Sequence, residues 1–188
     1  MPHQQTIDTI VRILRKSRSI LFVTGAGMSA DSGVPTYRGI GGLYEVESTE
    51  DGLPIEAILS GTMIRTNPLL TWKYLAAIAA AAEGATINRG HSVIAVWTLT
   101  QNVDGFHRAA GSRNVIEIHG NMRSLSCMGC TFRRNLDETA GLQIPPRCPA
   151  CDEILRPDVV LFEEALPEES LRSLQRQLET GFSVVFSI

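Results

Sequence analysis

The chain has 188 residues, 44% of them hydrophobic and 20% charged, with a formal net charge of −3. That is enough for one domain with a real core and room for a small insert. The slightly acidic balance argues against nucleic-acid binding through phosphates, and no apolar run reaches membrane-spanning length.

Ile7, Ile10, Val11 and Leu14 recur at helical spacing with basic residues among them. They predict an amphipathic helix, and the interrupting charges exclude a secretion signal. Ser19 to Thr24 reads as a short strand, and it runs straight into Gly25-Ala26-Gly27-Met28-Ser29-Ala30. A G-x-G-x-x-A run between a strand and a helix suits a dinucleotide. The first glycine permits the tight turn, the second lets backbone N–H groups approach phosphate, and the helix start favours the anion. A dehydrogenase would also need an acidic residue closing a second strand. Glu45 and Glu47 do not fit that role, because no strand precedes them. In its place Asp31 to Tyr44 forms a long Gly-rich stretch with Arg38, Tyr37 and Tyr44. It reads as a loop able to fold over a phosphate-bearing ligand.

Thr66-Asn67-Pro68 reads as a helix start and Gly84 as its stop. Leu69, Trp72 and Leu75 are expected to be core contacts. One turn of helix near His91 to Ala95 then meets an apolar strand, Val96 to Thr100, almost without a linker. Crossovers between parallel strands normally take about a dozen residues or more. This strand stops at Gln101, Asn102 and Asp104. A second apolar run, Val115, Ile116 and Ile118, stops at His119. Ligands of open parallel sheets sit beyond the carboxyl ends of the strands. His119 is the general-base candidate, since an unperturbed imidazole titrates near about 6.5.

The four cysteines fall into two pairs, Cys127-x2-Cys130 and Cys148-x2-Cys151, with seventeen residues between them. This spacing is a strong tetrahedral Zn²⁺ signal. Four thiolates leave no position for water, so the zinc is expected to be structural. Such use of cysteine suits a reducing compartment, and a cytoplasmic location is expected. The polar segment between the pairs would form a small ribbon. Leu155 to Phe162 then returns to an apolar strand. Pro167 to Thr180 predicts an amphipathic helix through Leu171, Leu174 and Leu178, and Phe182 to Ile188 a last strand.

Three motifs in this order, GAGMSADSGVPTYRG, TQNVDGFHRAAGSRNVIEIHG and the paired C-x2-C followed by LRPDVVLFEEALP, resemble the sirtuin family of NAD-dependent protein lysine deacylases, bacterial type. The resemblance covers most of the chain from about Ser19. It implies an α/β fold, a Rossmann-like parallel sheet with an inserted zinc-ribbon module. Residues 1–122 and 155–188 would form the NAD-binding domain and 123–154 the zinc module, with parts of 35–90 packed on it as a helical insert. The Rossmann half looks incomplete at its C-terminal end, and sirtuins have a longer connection between Ala95 and Val96. The expectation is that residues are missing at both places.

The resemblance also assigns roles. Gly25, Ala26, Gly27 and Ala30 match the pyrophosphate turn. Pro35, Thr36, Tyr37 and Arg38 match the cofactor loop, where phenylalanine is commoner than Tyr37. Gln101, Asn102 and Asp104 match the nicotinamide and ribose pocket, with Asn102 sharing in catalysis. His119 matches the catalytic base and also lines the cofactor pocket. Val160, Leu161, Phe162 and Glu163 match the strand that pairs with the substrate peptide, and the family usually has Gly where Glu163 stands.

The implied reaction removes acetyl from protein lysine, giving nicotinamide and O-acetyl-ADP-ribose, with NAD as cosubstrate and structural Zn²⁺. Members that prefer succinyl-lysine carry a Tyr and an Arg where Leu75 and Ile78 stand, so uncharged acyl groups are expected here. Acetylated lysine of proteins is the expected partner; nucleic acid and membrane are not, and oligomeric state is open. Mono-ADP-ribosyl transfer within the family is the alternative, and a non-enzymatic zinc-ribbon module the alternative outside it.

Overall fold

The computed structural model describes residues 2–35, 48–94, 96–136 and 143–188. Two sheets organise them. Four short strands are parallel: β1 (Ile20–Thr24), β2 (Trp97–Thr100), β3 (Val115–Glu117) and β7 (Val184–Ser187), in the order β3-β2-β1-β7. After β1 the chain goes to β2 and β3 on one side, and later to β7 on the other. The carboxyl end of β1 is therefore the switch point, where open α/β sheets form a ligand crevice. Register sharpens this. Thr24 lies opposite Thr100, and Thr100 opposite Glu117. The segments that follow, from Gly25, Gln101 and Ile118, leave the sheet along one edge.

The second sheet is antiparallel: β4 (Gly120–Cys127) lies between β5 (Arg133–Asn135) and β6 (Leu155–Val159). β6 is thus the central strand's other neighbour, not a strand of the parallel sheet. The small sheet reaches a few residues past either end of 123–154. Gly120 permits the junction. Its φ is +80°, and a Cβ there would lie 2.1 Å from the carbonyl oxygen of Asp158, a contact only glycine avoids.

Between β1 and β2 come α2 (Ala26–Ala30), α3 (Ile55–Ile58), α4 (Gly61–Thr66), α5 (Pro68–Ala81) and α6 (Arg89–Val93). Asn67 caps α5 by accepting from Leu70 N–H at 3.3 Å, and Pro68 sits where no N–H is required. Thr71, Trp72, Tyr74 and Leu75 form its buried face. Leu69 lies round the far side, 60% exposed, so it is not the core contact its apolarity suggests.

That buried face packs with Ile55, Ile58 and Ile64 against Leu125, Leu155 and Val159 of the small sheet and against Cys148 and Ile154 just before β6. Trp72 Nε1 donates to Leu155 O at 2.9 Å. The main cluster thus joins the short helices to the cysteine module. α1 (Pro2–Lys16) precedes β1, α7 (Phe106–Ala109) follows β2, and α8 (Glu168–Thr180) precedes β7. No helix among the described residues is long and apolar enough to cross a membrane.

Candidate active site

Gly25 follows β1 with extended backbone and opens α2. A Cβ built at Gly25 or Gly27 would meet nothing within 4 Å. Protein packing therefore does not demand these glycines. They leave bare backbone over open space, which suits close approach of a phosphate-bearing ligand.

Asn102, 9% exposed, ties this turn to β2. Its Nδ2 donates to Gly25 O and to Ser29 Oγ, both at 2.9 Å. Ser29 Oγ in turn donates to Asp104 Oδ2 at 2.6 Å, and Asp104 Oδ1 accepts from Phe106 N–H at 2.8 Å. Asn102, Ser29 and Asp104 form one chain of hydrogen bonds joining the turn after β1 to the loop after β2. Gln101 N–H donates to Thr24 O at 3.0 Å and holds the same edge from the backbone.

His119 reaches this edge from β3. Its Nδ1 lies 3.1 Å from Gln101 O. A carbonyl oxygen only accepts, so Nδ1 carries the proton. In the neutral ring Nε2 is then left with its lone pair, the form a general base needs. His119 O also accepts from Val160 N–H at 2.9 Å. Val160 to Glu163 therefore begins beside the histidine. Within that stretch Phe162 N–H donates to Leu59 O, and Gly61 N–H to Phe162 O, both at 2.9 Å. Leu161 N–H donates to Glu164 Oε2 at 2.9 Å. Burial pushes the Glu164 carboxyl up, but the hydrogen bonds from Arg156 and Leu161 N–H outweigh it and hold it below the ordinary range.

Behind the edge lies a polar group that sequence reasoning passed over. His107 Nε2 is 3.1 Å from Thr24 Oγ1, which donates to Thr100 Oγ1 at 2.9 Å; Thr100 Oγ1 also accepts from Asn102 N–H. His91 stacks edge-on to His107 with ring centres 4.9 Å apart. Burial first, then the neighbouring His91, push His107 down to about 4, against the pull of Asp104. Burial lowers His91 as well. Both rings are neutral supports. Ser29 was also missed: the G-x-G-x-x-A pattern points to Ala30, but Ala30 is exposed and Ser29 is 1% exposed at the centre of the network. A hydroxyl one residue earlier, beside a later Asn-x-Asp, was the available signal. Pro35 is described; Thr36, Tyr37 and Arg38 lie outside the described residues.

The second site is made of sulfur. Cys127, Cys130, Cys148 and Cys151 are free thiols whose Sγ atoms all lie within 4.8 Å of one another. Zn–S bonds of about 2.3 Å in a tetrahedron place sulfurs about 3.8 Å apart. The Cys127–Cys151 and Cys130–Cys148 separations, 3.4 and 3.7 Å, fit. Gly129 N–H points at Cys127 Sγ at 3.3 Å, a donor that steadies a thiolate.

The sequence model of the Sir2 family matches residues 25–186. The chain belongs to the Sir2 family. It is 51% identical to NAD-dependent protein deacylase 2 of Pseudomonas aeruginosa, covering all of this chain and 77% of that protein. That alignment spans 199 positions against 188 residues here, so the relative has residues within the matched span that this chain lacks. An NAD-dependent protein deacylase of Pyrococcus furiosus is 39% identical over 95% of this chain and 71% of its own. Among solved structures, a Sir2 homologue in complex with NAD superposes with a TM-score of 0.82 at 31% identity, covering 96% of this chain and 71% of that one. A Sir2 protein holding a deacetylated peptide and 3′-O-acetyl-ADP-ribose gives 0.82 at 26% identity, covering 96% and 75%. As a Sir2 protein, the chain has the Rossmann-like sheet and cysteine module its motifs imply.

Proposed function

We propose that this Sir2 protein removes acetyl groups from lysine side chains of proteins, giving free lysine, nicotinamide and O-acetyl-ADP-ribose. The observation that carries the reading is convergence. Asn102 on Gly25 O, and His119 on Gln101 O, bring an amide and an imidazole with a bare Nε2 to one edge beside an open glycine turn.

NAD, when bound, supplies a ribose carbon that accepts the acyl oxygen as nicotinamide departs. The chain's residues do the rest. Gly25, Ala26 and Gly27 present backbone to the pyrophosphate. Asn102 and Asp104, held through Ser29, orient the ribose and the carboxamide. His119 Nε2 takes a proton from a ribose hydroxyl, which makes that oxygen the acceptor of the acyl group. The Nδ1–H bond to Gln101 O keeps the ring in the right tautomer and steadies it once charged. Water then supplies the atoms that free the lysine. Val160 to Glu163, which starts at the hydrogen bond from Val160 N–H to His119 O, holds the substrate peptide so that its acyl-lysine reaches His119.

Zinc shapes the module and takes no part in proton transfer, since thiolates fill its four positions. The clustering of the four cysteines as a metal set, not as disulfides, supports a reducing, cytoplasmic setting. The test is incubation with NAD and an acetyl-lysine peptide, followed by mass analysis. The reading expects O-acetyl-ADP-ribose with loss of acetyl from the peptide. A protein bearing added ADP-ribose, with the peptide untouched, would point to mono-ADP-ribosyl transfer. NAD left unconsumed would contradict both.

A further inference from the structure

Two non-glycine residues among those described hold a positive φ, and Glu163, at 69°, is one. A glycine would adopt this conformation without a clash, so the backbone is not the reason for a glutamate here. Its position suggests another. Val160 N–H rests on His119 O, and Glu163 follows three residues on, in the turn closed by Glu164 N–H on Leu161 O at 3.1 Å. An extended peptide whose acyl-lysine reaches His119 carries its residues two or three places away about 7–10 Å along the same stretch.

Two neighbouring carboxylates differ in what surrounds them. Glu164 is enclosed: Arg156 donates to both its oxygens, at 2.5 and 2.8 Å, Leu161 N–H adds a third bond, and Arg65 lies 3.9 Å away. Its charge is spent inside the protein. Glu163 is exposed, and its Oε2 accepts from Thr62 Oγ1 at 2.7 Å. It pairs with no cation among the described residues. The hydroxyl fixes the direction of the carboxylate without neutralising it. Phe162 is meanwhile tied to Leu59 and Gly61, which holds the backbone under Glu163 in place.

We propose that Glu163 is a specificity-determining residue that selects protein substrates with lysine or arginine two or three residues from the acyl-lysine. The inference rests on the deacylase reading and on peptide passage along Val160 to Glu163. It assigns a charge preference to a groove whose backbone contacts are blind to sequence.

The experiment uses the full chain and three acetyl-lysine peptides, identical except for arginine, glutamine or glutamate at the second and third positions on both sides. The arginine peptide should exceed the glutamate peptide in kcat/KM by about two- to five-fold, the range of an exposed ion pair. The difference should lie in KM rather than kcat and shrink as salt is raised. In Glu163→Gln and Glu163→Gly the ratio should fall to about one, and in Glu163→Asp part of it should remain. Glycine suits the backbone here, so loss of the ratio in Glu163→Gly would not reflect misfolding. Equal turnover of the three peptides, or a ratio that survives both neutral variants, would overturn this inference alone. No turnover of any peptide would overturn the deacylase reading and this inference with it.

Discussion

The cysteine module and the nucleotide edge solve the same problem, holding several polar groups at one point, in opposite ways. The four sulfurs come from two short knuckles whose ligands are three residues apart, and each knuckle is shaped by its own backbone bonds, such as Cys148 N–H on Glu153 O at 2.7 Å. The edge is assembled from distant segments: Asn102 lies 77 residues from the Gly25 carbonyl it binds, and Ser29 lies 75 from Asp104. Local ligands make a site that is strong in sequence and depends on a metal. Distant ligands make one that depends on the sheet register being right. Damage to the first should therefore appear as loss of structure, and damage to the second as loss of chemistry.

The largest expected effect is at the metal. Structural zinc in small modules contributes on the order of 10–16 kcal/mol. Cys148 is 2% exposed within the main cluster, so Cys148→Ser should abolish stoichiometric zinc and unfold the small sheet. Metal analysis and near-UV circular dichroism check this. Retention of both would mean that the thiols are not the module's fastening.

A smaller effect is expected inside the edge. Asn102→Ala leaves Gly25 O and Ser29 Oγ without their donor, a loss of about 1–3 kcal/mol for buried acceptors. It should weaken NAD binding while zinc content stays at one per chain. Calorimetry with NAD, beside metal analysis of the same sample, would test the separation.

The pH dependence has a sign. His107 is held neutral in the fold, down to about 4, against an ordinary value of 6.5. Above about pH 6.5 neither the folded nor the unfolded ring binds a proton, and the stability is fully present. As pH falls from 6.5 towards 4, the unfolded chain takes up a proton that the fold refuses, so stability falls by up to about 3 kcal/mol. Denaturation midpoints across this window should be flatter in His107→Gln than in the native chain. That difference separates the effect from acid release of zinc.

The smallest effect concerns the acyl group. Leu75 is buried and Ile78 packs against the same cluster, so neither place offers a cation to a succinyl carboxylate. Acetyl-lysine should be turned over faster than succinyl-lysine in the same peptide. Faster succinyl removal would place a cation elsewhere in the pocket.

Much of the fold was legible because its signals are local. The strand ending at Thr24, the glycine turn, the Asn67-Pro68 helix start and the cysteine pairs each need only a few adjacent residues. The position of His119 at the edge was legible because it follows an apolar run. What escaped depends on partners far along the chain. Ser29 gains its meaning only from Asn102 and Asp104, and His107 only from Thr24 and His91. The strand from Leu155 looked like part of the main sheet, because apolar content does not tell a parallel neighbour from an antiparallel one. Leu69 misled for a simpler reason: in a helix apolar on most sides, composition does not say which face is covered.

The central claim is that His119 does chemistry at an edge whose shape is set by other residues. It is tested most directly by single-turnover formation of O-acetyl-ADP-ribose with native chain and His119→Ala, with zinc and NAD binding measured on the same preparations. The account predicts that product falls by about 10²–10⁴-fold, with one zinc per chain and NAD affinity within a few-fold of native. Undiminished product in His119→Ala, or loss of product only in step with loss of zinc, would contradict it.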